Sequence, residues 1–410
     1  MLQINTQRLL DNLDSLAQIG ATADGGVNRS AMSPADIEGR RWFKDCVNDD
    51  GFEFREDGAA NLSAILKSDV PNAKTLLLGS HLDSVPNGGR FDGPLGVLSA
   101  LEVLRTIREA NIQLPFHVEC ISFTDEEGSM LALFGSRALT GKLTAESLSQ
   151  SRVGVDKLRE GMTQLGISEE SIKSARRDPS SLLGYLEIHI EQGTRLEGSM
   201  LDIGAVTAIV GIRDFWLTFS GRAGHAGTTP MDKRADALWG ASAFIQGARK
   251  MVPAKFDPGV VNVGNLQVAP GAFNIVPGEV RLALEFRHGD EELLDQMQDD
   301  LFQLAEQVAE DHDLKLRIEP VGKFAPSLMD EKLLKHIEAA ADERGLKHTR
   351  LISYAGHDAE TIAHVAPSAM IFVPSAGGIS HNPREYTKPE DVVNGANVLL
   401  GTVLRLAGKS

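Results

Sequence analysis

At 410 residues the chain exceeds the size at which one hydrophobic core usually stops growing, so two domains are expected. Hydrophobic residues make up 42% and charged residues 24% with no low-complexity tract, which excludes a disordered or fibrous protein. A net charge of -16 opposes a nucleic-acid or anionic-membrane partner, because phosphate repels such a surface at long range, and leaves small molecules and metal ions.

The first segment, MLQINTQRLLDNLDSLAQIG, has no basic stretch followed by an apolar core. It reads as an amphipathic helix with Leu9, Leu10, Leu13 and Leu16 on one side, and a cytoplasmic protein is expected. From residue 60 onward short apolar strands alternate with amphipathic helices, the pattern of an α/β sheet covered by helices. In TLLLGSHLDS (75–84) the run Leu76, Leu77, Leu78 is apolar on both faces, as in a central strand. A Gly-rich loop (88–96) and a helix (95–112) follow. FHVECISFTDEEGS (116–129) repeats the design and delivers three acidic residues at its end, and YLEIHIEQG (185–193) is a third strand ending in polar residues.

Residues 210–325 change order to strand, helix (around 232–250), two strands, helix (290–311), strand. That βαββαβ run, ferredoxin-like in arrangement, can fold alone and reads as an insertion. Residues 326–410 return to helix, strand and helix, so residues 1–209 and 326–410 are expected to form one mixed-sheet domain. Only Cys46 and Cys120 are present, with no CxxC spacing, which argues against a thiolate metal site, so nitrogen and oxygen ligands are expected for any metal.

Polar residues collect where the strands end. His81 and Asp83 share a face by period-two alternation, so His81 can ligate a metal with Asp83 as the acceptor that orients its ring. Asp92 stands alone among Gly88, Gly89, Gly93 and Gly96, with two oxygens free to bridge ions; the plain alternative is that it caps the following helix. Glu126 and Glu127 divide the labour of base and ligand, or form a solvated acidic loop. His189 lies among Leu186, Ile188 and Ile190, where a core histidine satisfied by backbone is the alternative, and His381 follows the strand AMIFVP in a Gly-rich turn. All five ligand candidates, His81, Asp92, Glu127, His189 and His381, fall at strand carboxyl ends, where open α/β sheets bind ligands, and their donor types suit Zn²⁺ or Mn²⁺.

GSHLDSVPNGGRFDGPLGVL, FTDEEGS, LEIHIEQG, GHAGTTPM, NIVPGEV, YAGHDAETIA and GGISHNPRE together resemble the amidase/carbamoylase branch of the di-metal aminoacylase and carboxypeptidase-like hydrolases. The resemblance spans residues 80–385. It implies two divalent ions per subunit held by the five ligands, with Glu126 as general base; Asp83, the acceptor expected at His81, is grouped with the catalytic residues. It implies that 210–325 is a lid and dimerisation domain of a homodimer, with His225 reaching the partner's active site; alone, His225 would be a turn residue between glycines. Arg287 and Asn274 match positions that hold a substrate carboxylate, and Gln192 and His357 match further pocket positions. By composition Arg287 would be a surface ion pair, and His357 a helix N-terminal residue. His189 takes the place where the peptidase branch usually has an acidic residue, which points to ureido substrates.

The chemistry implied is hydrolysis of a ureido C–N bond: metals acidify a water, Glu126 removes its proton, and His225 meets the oxyanion. The substrate expected is an N-carbamoyl-L-amino acid; allantoate or ureidoglycolate is the alternative, and a catalytically silent metal-binding scaffold a third reading. Where carbamoylases typically continue EEGS with Arg and an aromatic, this chain has Met130-Leu131, which leaves the substrate side chain open.

Overall fold

The apolar runs become strands in the computed structural model, which describes residues 1–409. In chain order the strands are β1 (Glu53–Glu56), β2 (Leu62–Leu66), β3 (Thr75–His81), β4 (His117–Phe123), β5 (Leu182–Ile190), β6 (Ile203–Ile209), β7 (Gly211–Ser220), β8 (Gly224–His225), β9 (Val260–Ala269), β10 (Ile275–Val276), β11 (Glu279–His288), β12 (Lys315–Phe324), β13 (Ser327–Leu328), β14 (His348–Ser353) and β15 (Ser368–Val373). The chain divides into two compact units. One comprises Met1–Thr207 and the chain from Leu328 onward; the other is Ala208–Ser327.

The first unit is built on a nine-stranded mixed sheet ordered β1-β2-β4-β3-β5-β15-β6-β13, with β14 on β6. Its centre, β4-β3-β5-β15, is parallel, so four carboxyl ends lie along one edge. The chain steps from β3 to β4 on one side and then to β5 on the other, which puts a topological switch point beside β3. The helix Pro94–Glu109 packs on β3 and is buried from Pro94 through Ile107, its buried Glu102 and Arg105 paired with Arg8 and Asp50. Pro389–Leu406 packs against it and against β15. The first helix is Thr6–Gln18, burying Leu9, Leu13 and Leu16; Leu10 is only half-buried.

The second unit holds the antiparallel sheet β12-β7-β11-β9 and the two-strand pair β8-β10. Along β11, Val280, Leu282, Leu284 and Phe286 face a core with Phe215, Phe219, Phe244 and Leu301, while Arg281, Glu285 and Arg287 alternate onto the other face. The helices Ala237–Lys255 and Glu291–Asp311 supply the rest of that core.

Two expectations shift. The helix expected around 232–250 begins at Ala237, because the Asp236 side chain accepts from the Leu238 and Trp239 N–H groups and stops the helix there. After residue 326 the chain makes an additional strand, β14, and a short helix, Asp358–Ile362, between the elements read from the pattern. Among the described residues no helix is long and apolar enough to cross a membrane.

Candidate metal and catalytic site

His81 is the last residue of β3, Glu126 and Glu127 follow β4, His189 is the penultimate residue of β5, and His381 follows β15. Asp92 sits in the loop between β3 and the helix Pro94–Glu109. It does not cap that helix: the capping position is Gly93, with no side-chain bond. Gly93 has φ +82°, and a Cβ there would lie 2.4 Å from the His81 ring, so glycine is what lets the Asp92 loop close onto the imidazole.

The side chains meet around one carboxylate. Asp92 Oδ1 is 3.6 Å from His81 Nε2 and 3.1 Å from His189 Nε2. Its other oxygen, Oδ2, is 3.4 Å from His381 Nε2, which is also 3.4 Å from Glu127 Oε2. Two triads therefore share Asp92: His81–Asp92–His189 and Asp92–Glu127–His381, the ligand atoms of each lying within 4.8 Å of one another. Two ligands each about 2.1 Å from one tetrahedral ion stand about 3.4 Å apart, so these spacings fit a cation. Glu127 Oε1 and His189 Nε2 are buried without a hydrogen-bond partner, which also fits donors arranged for metal.

The ring orientations agree. His81 Nδ1 lies 3.0 Å from the Asp83 carbonyl and His189 Nδ1 2.9 Å from the Ile190 carbonyl. A carbonyl only accepts, so both Nδ1 atoms carry the proton and both Nε2 lone pairs face Asp92. Here one expectation is corrected. The Asp83 carboxylate is 3.7 Å from His81 Nδ1, too far to orient the ring, and accepts instead from the Glu126 and Glu127 N–H groups at 3.3 and 3.2 Å. The reason is that β3 ends at His81, so period-two alternation no longer governs residue 83.

Charge is concentrated here. Burial raises the Glu126 carboxyl well above the usual carboxylate range, and burial together with Asp92 pushes Glu127 up to about 7. Burial alone would raise Asp92, but the close imidazoles of His189, His381 and His81 outweigh it and hold its carboxyl well below its ordinary value. The Asp92 contact pushes His381 up to about 9. Glu126 Oε2 lies 3.6 Å from His81 Nε2, beside the first triad but in neither. Three residues here have left-handed backbones: Asp125 (φ 52°), Gln192 (φ 56°) and His381 (φ 53°), a strain typical of functional sites.

Gln192 is placed on the shared aspartate: its Nε2 donates to Asp92 Oδ2 at 2.8 Å and to Ser380 Oγ at 3.1 Å. His357 is both the capping residue just before the helix Asp358–Ile362 and a buried neighbour of the site, its ring 4.5 Å from that of His189 and its Nε2 2.9 Å from Ser353 Oγ. Four further residues escaped the sequence reading. Ser380 and Glu385 lie in the GGISHNPRE segment; Glu187, two residues before His189 on the same strand face, accepts from Ser80 Oγ at 2.7 Å and from the Ala359 N–H at 3.0 Å; Asp358 is buried beside it in charge contact. Period two could have found Glu187, whereas the others depend on long-range contacts.

In the second unit β8 and β10 bring His225 and Asn274 together: His225 pairs with Ile275, and the Ala226 N–H donates to the Asn274 carbonyl at 2.9 Å. The Gly227 and Thr228 N–H groups donate to His225 Nδ1 at 3.1 and 3.2 Å, so its proton sits on the exposed Nε2. Arg287 lies on β11 with its Nε bonded to Glu285 Oε1 at 2.8 Å.

A parallel sheet whose strand ends gather two imidazole and carboxylate triads around one aspartate, with a buried glutamate beside them, is the architecture of a metal-dependent hydrolase. The chain belongs to peptidase family M20/M25/M40, whose model matches residues 77–405, and is a hydrolase of C–N bonds. It is similar to N-carbamoyl-L-amino acid amidohydrolase of Geobacillus stearothermophilus (36% identical, covering 98% of this chain and 99% of the relative). It is also similar to allantoate amidohydrolase of Bacillus subtilis (32% identical, covering 97% of each). Among solved structures, an amidase of the hydantoinase/carbamoylase family from Burkholderia multivorans superposes with a TM-score of 0.91 at 36% identity, covering 99% of this chain and 98% of that one.

Proposed function

We propose that this chain is an N-carbamoyl-L-amino-acid hydrolase that works as a homodimer with two divalent ions, Zn²⁺ or Mn²⁺, per subunit. The observation that carries the reading is the pair of triads on Asp92 with Glu126 beside His81. His81, Asp92 and His189 would hold one ion and Asp92, Glu127 and His381 the other. When bound, such ions polarise a carbonyl oxygen and acidify water.

The protein's own groups do the rest. Glu126, whose burial makes it a stronger base than an exposed carboxylate, takes a proton from the attacking water. It later returns that proton to the leaving nitrogen. Asp83 holds the Glu126 and Glu127 amides and so fixes the loop that carries the base. His225 presents an Nε2–H to the developing oxyanion, in this reading as the partner subunit's His225. Arg287 and Asn274 hold the substrate carboxylate, with Arg287 steadied by Glu285. Gln192 and His357 line the site through Asp92 and His189. One water consumed releases the free amino acid and a carbamic acid, which breaks down to ammonia and carbon dioxide.

The second reading, an allantoate amidohydrolase, is favoured by the Bacillus subtilis relative and by Met130, which leaves the segment after Glu127 without the arginine expected of a carbamoylase. The deciding experiment measures ammonia release by the metal-loaded protein from carbamoyl-L-amino acids, carbamoyl-β-alanine, allantoate and ureidoglycolate. The highest kcat/KM on a carbamoyl-L-amino acid is expected; a preference for allantoate transfers the assignment to the second reading, and no ammonia from any of them overturns both.

A further inference from the structure

Outside the ligands, one buried acid is tied to the site from 293 residues away. Glu385 is 5% exposed. Its Oε1 accepts the N–H groups of two consecutive residues, Phe91 at 2.9 Å and Asp92 at 3.1 Å. Its Oε2 lies 2.9 Å from Ser380 Oγ, and that hydroxyl is also 2.9 Å from Asp92 Oδ2. Gln192 Nε2 donates to the same Asp92 oxygen and to the same hydroxyl. A Cβ on Gly89 would fall 1.9 Å from Glu385 Cδ, so the loop has kept that position empty for the carboxyl group.

We infer that Glu385, acting through Ser380, is a positioning residue that latches the Asp92 loop to the segment carrying His381 and so fixes the shared aspartate between its two triads. This rests on the metal-site reading above. The backbone arm sets where Asp92 stands, and the hydroxyl arm sets which way its Oδ2 faces. That oxygen belongs to the Asp92–Glu127–His381 triad. Loss of the latch therefore weakens the ion on that side first. The other oxygen is flanked by His81 and His189, whose rings are fixed independently by carbonyls at 3.0 and 2.9 Å.

The test compares the full-length wild type with Glu385→Ala, Glu385→Gln and Ser380→Ala after chelator stripping, using Mn²⁺ titration calorimetry, electron paramagnetic resonance of the bound Mn²⁺, and steady-state kinetics. In Glu385→Ala one of two ions should bind roughly 10- to 100-fold more weakly, the usual cost of losing a group that orients a ligand. The coupled two-ion signal should give way to that of isolated Mn²⁺, with kcat reduced and KM unchanged. Ser380→Ala should shift the same ion in the same direction. Glu385→Gln should restore binding, since its amide oxygen still accepts two N–H groups and its amide nitrogen can donate to Ser380, leaving the hydroxyl hydrogen for Asp92. Wild-type Mn²⁺ binding by both alanine variants overturns the inference, as does a glutamine variant as defective as the alanine, which would mark charge rather than position. If Glu385→Ala does not fold, Ser380→Ala decides. A wild-type protein that binds no Mn²⁺ instead overturns the metal-site reading itself.

Discussion

Glu126 is distinguished from its neighbour by what it does not touch: Glu127 lies within a triad, while Glu126 is beside His81 and in no ligand group. Glu126→Gln should therefore keep Mn²⁺ affinity while kcat falls by roughly 10²- to 10⁴-fold, the usual worth of a general base, and a variant near full activity would remove the role. Arg287→Ala should raise KM for carbamoyl acids with little change in kcat, since losing charged hydrogen bonds costs about 1.5–3 kcal/mol, and an unchanged KM would place Arg287 outside the site. Outside the ligand set, burial pushes the Asp36 carboxyl up to about 6 from an ordinary 3.8, with the Met32 N–H donating to it at 2.8 Å. A raised folded pKa means the folded state holds the proton more tightly. That stabilisation is full below pH 4 and is lost as pH rises through 6, a swing of about 3 kcal/mol. Urea unfolding at pH 4.5 and 7.5 should show Asp36→Asn gaining on the wild type at the higher pH; a constant difference would contradict it. At this scale the sequence was readable where alternation ruled, as at His81 on β3 and His189 on β5, and misleading one step beyond. Asp83 lies past the end of its strand, and Glu385 acts on residues that only folding brings near.

Elements were more legible than residues because hydrophobic period is a property of many side chains at once. The run Leu76-Leu77-Leu78 specified a strand buried on both faces: β4 and β5 flank β3 within the sheet, and the helix Pro94–Glu109 packs on it. Boundaries failed where a single side chain decided them, as Asp236 did for the helix Ala237–Lys255. The buried helix Pro94–Glu109 is a sensitive element because it packs on the strand that ends in His81. Leu101→Ala there should cost about 2–5 kcal/mol, the usual cost of a core leucine truncation. Denaturant unfolding measures it, and a loss under 1 kcal/mol, far below that range, would mean the helix tolerates a cavity.

For the whole molecule, length and the change of pattern near residue 210 made an insertion legible, and the 4-stranded antiparallel order β12-β7-β11-β9 is what a βαββαβ run folds into. What remained hidden is everything that depends on which distant loops meet. If the ions sit in the first unit, chelation should lower the unfolding temperature of that unit alone. By mass action the loss is about 2.7 kcal/mol when the ion stands at 100 times its Kd. Calorimetric scans with and without chelator should show one transition move and the other stay; a common shift of both would contradict it.

The excursion of the chain into the second unit leaves and returns through adjoining strands, and the Met329 N–H donates to the Thr207 carbonyl at 2.9 Å. The two cut ends thus lie one hydrogen bond apart. A tight glycine-containing turn could join them without moving β6 or β13. The inserted unit is accordingly a cassette with a socket: excision, exchange for a relative's unit, or opening of new termini at this seam should leave the parallel core able to close.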